Sequence, residues 1–219
     1  MRPLCIAHGS SCVDGHLSSW VVHRALGGEV DFTYESYQRP PPDVAGRDVV
    51  VVDFSYPRAV LEDMARTARS VLVLDHHRSA AEDLKDVNQG PASYKDWLSV
   101  VEHYGEHELA AIFDMGRSGA GITWDFFFPN QPRPWFVDMV EDRDLWKFTD
   151  DRSRPFHAAV TSYPLSFEMW DRLYEEGIRK GVLDITAELR MRDGAGEYAH
   201  GLINEGRGIL RKHDLDVQQ

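Results

Sequence analysis

Val71-Leu72-Val73-Leu74-Asp75-His76-His77 is the stretch that decides the fold. Four apolar residues in succession read as a strand buried on both faces, and three metal-philic side chains stand where that strand should end. Two earlier stretches repeat the arrangement: Cys5-Ile6-Ala7-His8, leading to Asp14, and Val49-Val50-Val51-Val52-Asp53. Helical spacing fills the gaps. Leu17, Trp20, Val21 and Ala25 predict a helix from His16 to Leu26, stopped by Gly27-Gly28, and a second runs from Pro57, a proline at the first helical position, to Ala68. Val30 to Tyr37 alternates apolar and polar residues, as a less buried strand would. Continuous Val/Leu runs separated by helices predict an α/β domain: a parallel sheet covered by helices on both faces. In such sheets ligands bind beyond the carboxyl ends of the strands, where His8, Asp53 and Asp75 to His77 all fall.

Downstream, Glu108 to Phe113 reads as a short strand, while Val87 to Glu108 shows no clean period. Ser118-Gly119-Ala120-Gly121 opens a helix over Ile122 to Phe128. Another helix, Pro134 to Val140, delivers Glu141-Asp142-Arg143-Asp144 at its end. Beyond Thr149 strand signals vanish. Phe167, Trp170, Leu173, Tyr174 and Ile178 keep helical spacing, and Val182 to His213 reads as helix, interrupted at Gly194-Ala195-Gly196 and near Gly206 to Gly208. The expected organisation is an α/β metal-binding domain over 1–150 and a smaller helical C-terminal region, a cap or extension, over 151–219.

The bulk numbers narrow the function classes. A chain of 219 residues with 42% hydrophobic and 27% charged residues can bury a full core. A net charge of −12 repels long polyanions, so a small phosphorylated substrate fits better than a long duplex. Two cysteines form no disulfide framework, the first residues lack a basic and then apolar leader, and no apolar window is long enough for a membrane span. The expected compartment is the cytoplasm, with no membrane partner.

Each candidate has a dull alternative. His8 could be an ordinary hydrogen-bonded histidine, Asp14-Gly15 an N-cap and turn, and Asp53 a cap for the helix after Pro57. Asp142 and Asp144 could be solvated acids, although acids at a helix C-terminus oppose its dipole. Two histidines beside a carboxylate at a buried strand end have no routine structural job. Carboxylates and imidazoles converging on one sheet edge suit Mn²⁺, with Zn²⁺ or Mg²⁺ as alternatives. Asp53 is central enough to bridge two ions, an arrangement suited to phosphoryl displacement. There is no P-loop, no G-x-G-x-x-G and no G-x-S-x-G elbow.

His8-Gly9-Ser10-Ser11-Cys12-Val13-Asp14-Gly15, Asp53 after its valines, Asp75-His76-His77 and Glu141-Asp142-Arg143-Asp144-Leu145-Trp146 resemble, in order and spacing, the four motifs of the DHH phosphoesterase family, over roughly residues 4 to 150. That resemblance implies two Mn²⁺ ions and hydrolysis of short oligoribonucleotides, cyclic dinucleotides, nucleotide phosphates, single-stranded DNA or pyrophosphate. It implies His8, Asp14, Asp53 and His76 as metal ligands, with Asp142, or alternatively Asp144, as the ligand of the fourth motif. Asp53, His76 and His77 are the implied catalytic residues, Asp75 orients a histidine, and His77, Arg78 and Arg143 are the candidates for touching phosphate. Two departures stand out. Cys12 occupies a position where many members carry a second aspartate, so that either a thiolate replaces that ligand or one metal is held more loosely. The family's glycine-rich C-terminal segment with a substrate-gripping histidine has no counterpart; Tyr198-Ala199-His200-Gly201 is a poor match. A non-catalytic binder that sequesters a phosphorylated nucleotide is the alternative expectation.

Overall fold

The three apolar runs become neighbouring strands because each can bury both faces at once. The computed structural model describes residues 1–90, 92–104, 108–180 and 197–217. The chain divides into two units, Met1–Gln131 and Pro132–Gln219. In the first, β1 (Leu4–His8), α1 (Val13–Ala25), β2 (Asp31–Glu35), β3 (Asp48–Val52), α2 (Arg58–Ala65), β4 (Ser70–Asp75), α3 (Arg78–Asp83), α4 (Tyr94–Tyr104), β5 (Glu108–Phe113) and α5 (Gly119–Phe127) follow in order. The sheet runs β2-β1-β3-β4-β5 with every neighbouring pair parallel. Strand side chains alternate between two cores. Ile6, Val49, Val51, Val71 and Val73 join Leu61 and Met64 of α2 on one face. Cys5, Val50, Val52, Leu72 and Leu74 join Val22 of α1, Trp97 of α4 and Ile122 of α5 on the other. With both faces covered, a polar residue has no place inside these strands until they end. The chain passes outward from β1 to β2 and then crosses back to β3, so strand order reverses between β1 and β3. That crevice is where such sheets hold ligands.

Some elements differ from the sequence expectation. α1 starts at Val13 rather than His16, which places Asp14 inside its first turn. Pro57 is the residue before α2, not its first helical residue. α4 occupies part of the region that showed no clean period, and α3 follows β4 where the sequence reading placed no element.

The second unit holds α6 (Trp135–Asp144), α7 (Ser153–Val160), α8 (Phe167–Lys180) and α9 (Glu197–Val217). Trp135 packs edge-on to Phe156 at 5.1 Å between ring centres, and Phe136 stacks on Trp170 at 5.7 Å. These contacts tie α6 to the helices that follow it, and the division falls at Gln131/Pro132, ahead of the boundary near 150 read from the sequence. The start of the helix expected from Val182, and its break at Gly194-Ala195-Gly196, lie outside the described residues. α9 runs unbroken through Gly206 and Gly208, where a second break was expected. Gly206 is there for contact, not for bending: a Cβ on it would stand 1.7 Å from the Pro155 carbonyl oxygen of α7. Gly206→Ala should therefore destabilise the unit by about 1–3 kcal/mol, even after about 1 kcal/mol of gained helix propensity. Urea unfolding at pH 7 checks it; an unchanged midpoint would contradict this packing.

His157 of α7 carries a pH dependence. Burial, then the Arg143 guanidinium, hold its pKa down at about 4 against the ordinary 6.5. An imidazole harder to protonate when folded contributes stability that is complete above pH 6.5 and is lost as pH falls toward 4. The urea midpoint should drop between pH 7 and 5, and His157→Gln should flatten that drop; equal slopes for both proteins would refute it. Among the described residues no helix is long and apolar enough to cross a membrane.

Candidate metal centre

Asp53 sits where β3 ends, beside the reversal of strand order. Its φ of 52° is left-handed, a conformation that Asp tolerates better than most residues. Its amide still donates to the Leu74 carbonyl at 3.0 Å, so β4 holds the backbone while it turns. The carboxylate is buried. Oδ1 lies 3.1 Å from His76 Nε2, while Oδ2 accepts from the Cys12 thiol at 3.3 Å and lies 3.6 Å from His8 Nδ1. Burial pulls this carboxyl's pKa up, but hydrogen bonds from His76 and His8 outweigh it and hold it well below the usual carboxylate range. Asp53 does not cap α2, whose Arg58 amide donates to Asp83 Oδ2 at 2.8 Å.

Cys12 is the N-cap of α1, its sulfur accepting from the Gly15 amide at 3.5 Å. Burial first, then the Asp53 charge, push the thiol pKa up, so it is a neutral donor at physiological pH. Asp14, in the first turn of the same helix, reaches across to the start of α5. Its Oδ2 accepts from the Gly119 amide at 2.6 Å and its Oδ1 from the Ala120 amide at 3.0 Å. A carboxylate between two helix N-termini sits in favourable field from both. Two glycines make this closeness feasible. A Cβ on Gly119 would stand 2.5 Å from Asp53 Cβ, and one on Gly15 would stand 2.5 Å from the His8 carbonyl oxygen.

Asp75 closes β4 and is fully buried. Its Oδ1 accepts from the His76 amide at 2.8 Å and lies 2.7 Å from His77 Nδ1. This pairing favours the proton on Nδ1 and leaves Nε2 of the half-exposed His77 as the reactive nitrogen. Asp75 Oδ2 is buried without a hydrogen-bond partner. An orphaned carboxylate oxygen costs free energy unless a cation or donor meets it. Two donor sets in this unit share Asp53: Asp53, Asp75, His76 and His77, and His8, Cys12 and Asp53, each with ligand atoms within 4.8 Å of one another. The carboxylates and imidazoles of these sets are donors for a divalent cation, and Asp53 is the residue the two sets have in common. One wall is aromatic: the His8 ring stacks on Phe54, and Tyr37 approaches His8, Phe54 and His77 at 5.7, 5.2 and 6.3 Å.

Arg78 is exposed at the start of α3. Asp142 and Arg143 belong to the second unit. Asp142 Oδ1 accepts from the Thr149 amide at 2.7 Å and from its hydroxyl, and Oδ2 from the Asp150 amide at 3.4 Å. Those bonds hold a loop in which Trp146 and Phe148 have φ of 54° and 48°. Arg143 lies over the Trp146 ring at 4.6 Å. Gly15, Gly119, Ala120 and Tyr37 were not singled out by the sequence reading; Gly-X-Gly at a helix start hinted at Gly119, and no sequence signal marked Tyr37.

No family model matches the chain. It is similar to a curated protein of Acanthamoeba polyphaga mimivirus, Uncharacterized protein R106, at 28% identity over 141 residues, 64% of this chain and 29% of that protein. The chain thus spans under a third of the length of that relative.

Proposed function

We propose that this chain is a Mn²⁺-dependent phosphoesterase of the DHH type. It hydrolyses a phosphodiester or phosphomonoester bond of a small nucleotide, cyclic dinucleotide or short oligonucleotide in the cytoplasm. The observation that carries the reading is the buried Asp53 carboxylate, with His76, Cys12 and His8 on its two oxygens at 3.1, 3.3 and 3.6 Å. His8, Asp14, Asp53 and His76 would hold the metal, with Asp75 and His77 in the same group of donors as Asp53 and His76. A pair of divalent cations there supplies a low-pKa attacking water and charge neutralisation at the phosphoryl group. The chain's own residues do the rest. Hydrogen bonds from His76 and His8 favour the ionised form of Asp53. Asp75 fixes the His77 ring, so that Nε2 gives or takes a proton at the phosphate oxygens. The Cys12 thiol donates to Asp53 Oδ2 and steadies it. Arg78, exposed next to His77 at the start of α3, is a natural anchor for phosphate.

The test is turnover of bis-p-nitrophenyl phosphate and of a dinucleotide by purified protein with Mn²⁺. Cleavage that stops on chelation and returns with Mn²⁺ is the expected result; cleavage indifferent to chelator would contradict the proposal. The second reading, a binder that sequesters a phosphorylated nucleotide, is favoured by the neutral thiol of Cys12 in place of a carboxylate. It predicts that metal-loaded protein retains the ligand and returns it intact.

A further inference from the structure

We infer that Tyr37 is a stacking platform for a nucleobase, which makes the substrate of this site a nucleotide rather than a base-free phosphate. The inference rests on the phosphoesterase reading above and deepens it. Three observations converge on this ring. First, it is 53% exposed, one of three large aromatic residues exposed among the described residues, with Trp146 and Tyr163. Second, it stands at the rim of the metal-ligand group, edge-on to His8 and His77 and tilted against Phe54. His8, Phe54 and His77 are its ring neighbours, and about half of the residue stays open to solvent. Third, the backbone presents it deliberately. The Arg39 amide donates to the Ser36 carbonyl at 3.2 Å, closing a tight turn with Tyr37 at its corner. The next residue, Gln38, has φ of 76°, a left-handed position that a glycine or asparagine would fill at lower cost. A turn held against that strain places Tyr37 beside the strand ends instead of letting it collapse onto the core.

Base–aromatic stacking does not depend on which base is offered, so the platform would select for a base without selecting its identity. Pyrophosphate and sugar phosphates have nothing to place on it.

The experiment compares ligands with and without a base. Binding of AMP and of ribose 5-phosphate to Mn²⁺-loaded protein is measured by calorimetry for the wild type, Tyr37→Ala and Tyr37→Phe. Turnover of a diribonucleotide and of its abasic counterpart is followed in parallel. The wild type should prefer AMP, Tyr37→Ala should lose about tenfold or more of that preference, and Tyr37→Phe should keep it. A preference that survives Tyr37→Ala, or that Tyr37→Phe loses equally, overturns the inference. The two readings fail separately. Absence of turnover with the base preference intact sinks the phosphoesterase activity and leaves the platform standing; turnover of both dinucleotides without any base preference does the reverse.

Discussion

Asp53→Asn is expected to lower Mn²⁺-dependent turnover by about 10³-fold or more while leaving the protein folded. The substitution is chosen for shape. Asparagine, like aspartate, accepts the left-handed φ of 52° at this position, where alanine would add strain. It also keeps the Cβ that packs against Gly119. What it removes is one charge from the oxygens that face His76, Cys12 and His8. If cations bind there, the shared ligand is lost to both, and several kcal/mol of transition-state stabilisation disappear, at about 1.4 kcal/mol per factor of ten. Thermal unfolding supplies an independent readout. Wild-type protein should melt higher with Mn²⁺ than without, by mass action on the folded state, and the variant should not. A variant with wild-type turnover and an undiminished Mn²⁺ shift would remove Asp53 from the site.

Gly119→Ala is expected to damage stability and activity together. The added methyl would stand 2.5 Å from Asp53 Cβ and 2.9 Å from Asp14 Oδ2, and no side chain there is long enough to swing away. Either α5 retreats, taking its amides from Asp14, or the Asp53 turn shifts. Overpacking plus a strained cap should cost about 2–4 kcal/mol, read from the urea midpoint. A displacement of about 1 Å at the ligands should cost about 10²-fold in turnover. Near-wild-type values of both would mean that the helix start is not held as closely to Asp53 as described.

Strand ends were legible because a strand buried on both faces admits no polar residue until it stops. Val49 to Val52 and Val71 to Leu74 therefore announced both the sheet and the edge where Asp53 and Asp75 stand. α4 was missed although Tyr94, Trp97, Leu98 and Val101 have helical spacing, because the surrounding residues from Val87 onward diluted the period. The partners of Asp14 could not be read at all. Its bonds to Gly119 and Ala120 span over a hundred positions, and nothing local distinguishes that role from an N-cap. Gly206 shows the opposite failure. Local rules predicted a break in α9, and contact with Pro155 keeps the glycine inside a continuous helix. Asp142, an acid at a helix C-terminus against the dipole, finds its reason in the loop amides it accepts.

The most direct test is anomalous scattering from a crystal soaked in manganese. Peaks bonded to Asp53 and to the imidazoles of His8 and His76 are the predicted result. A map without anomalous density around Asp53, with His8, Asp14 and His76 turned away from it, would contradict the account.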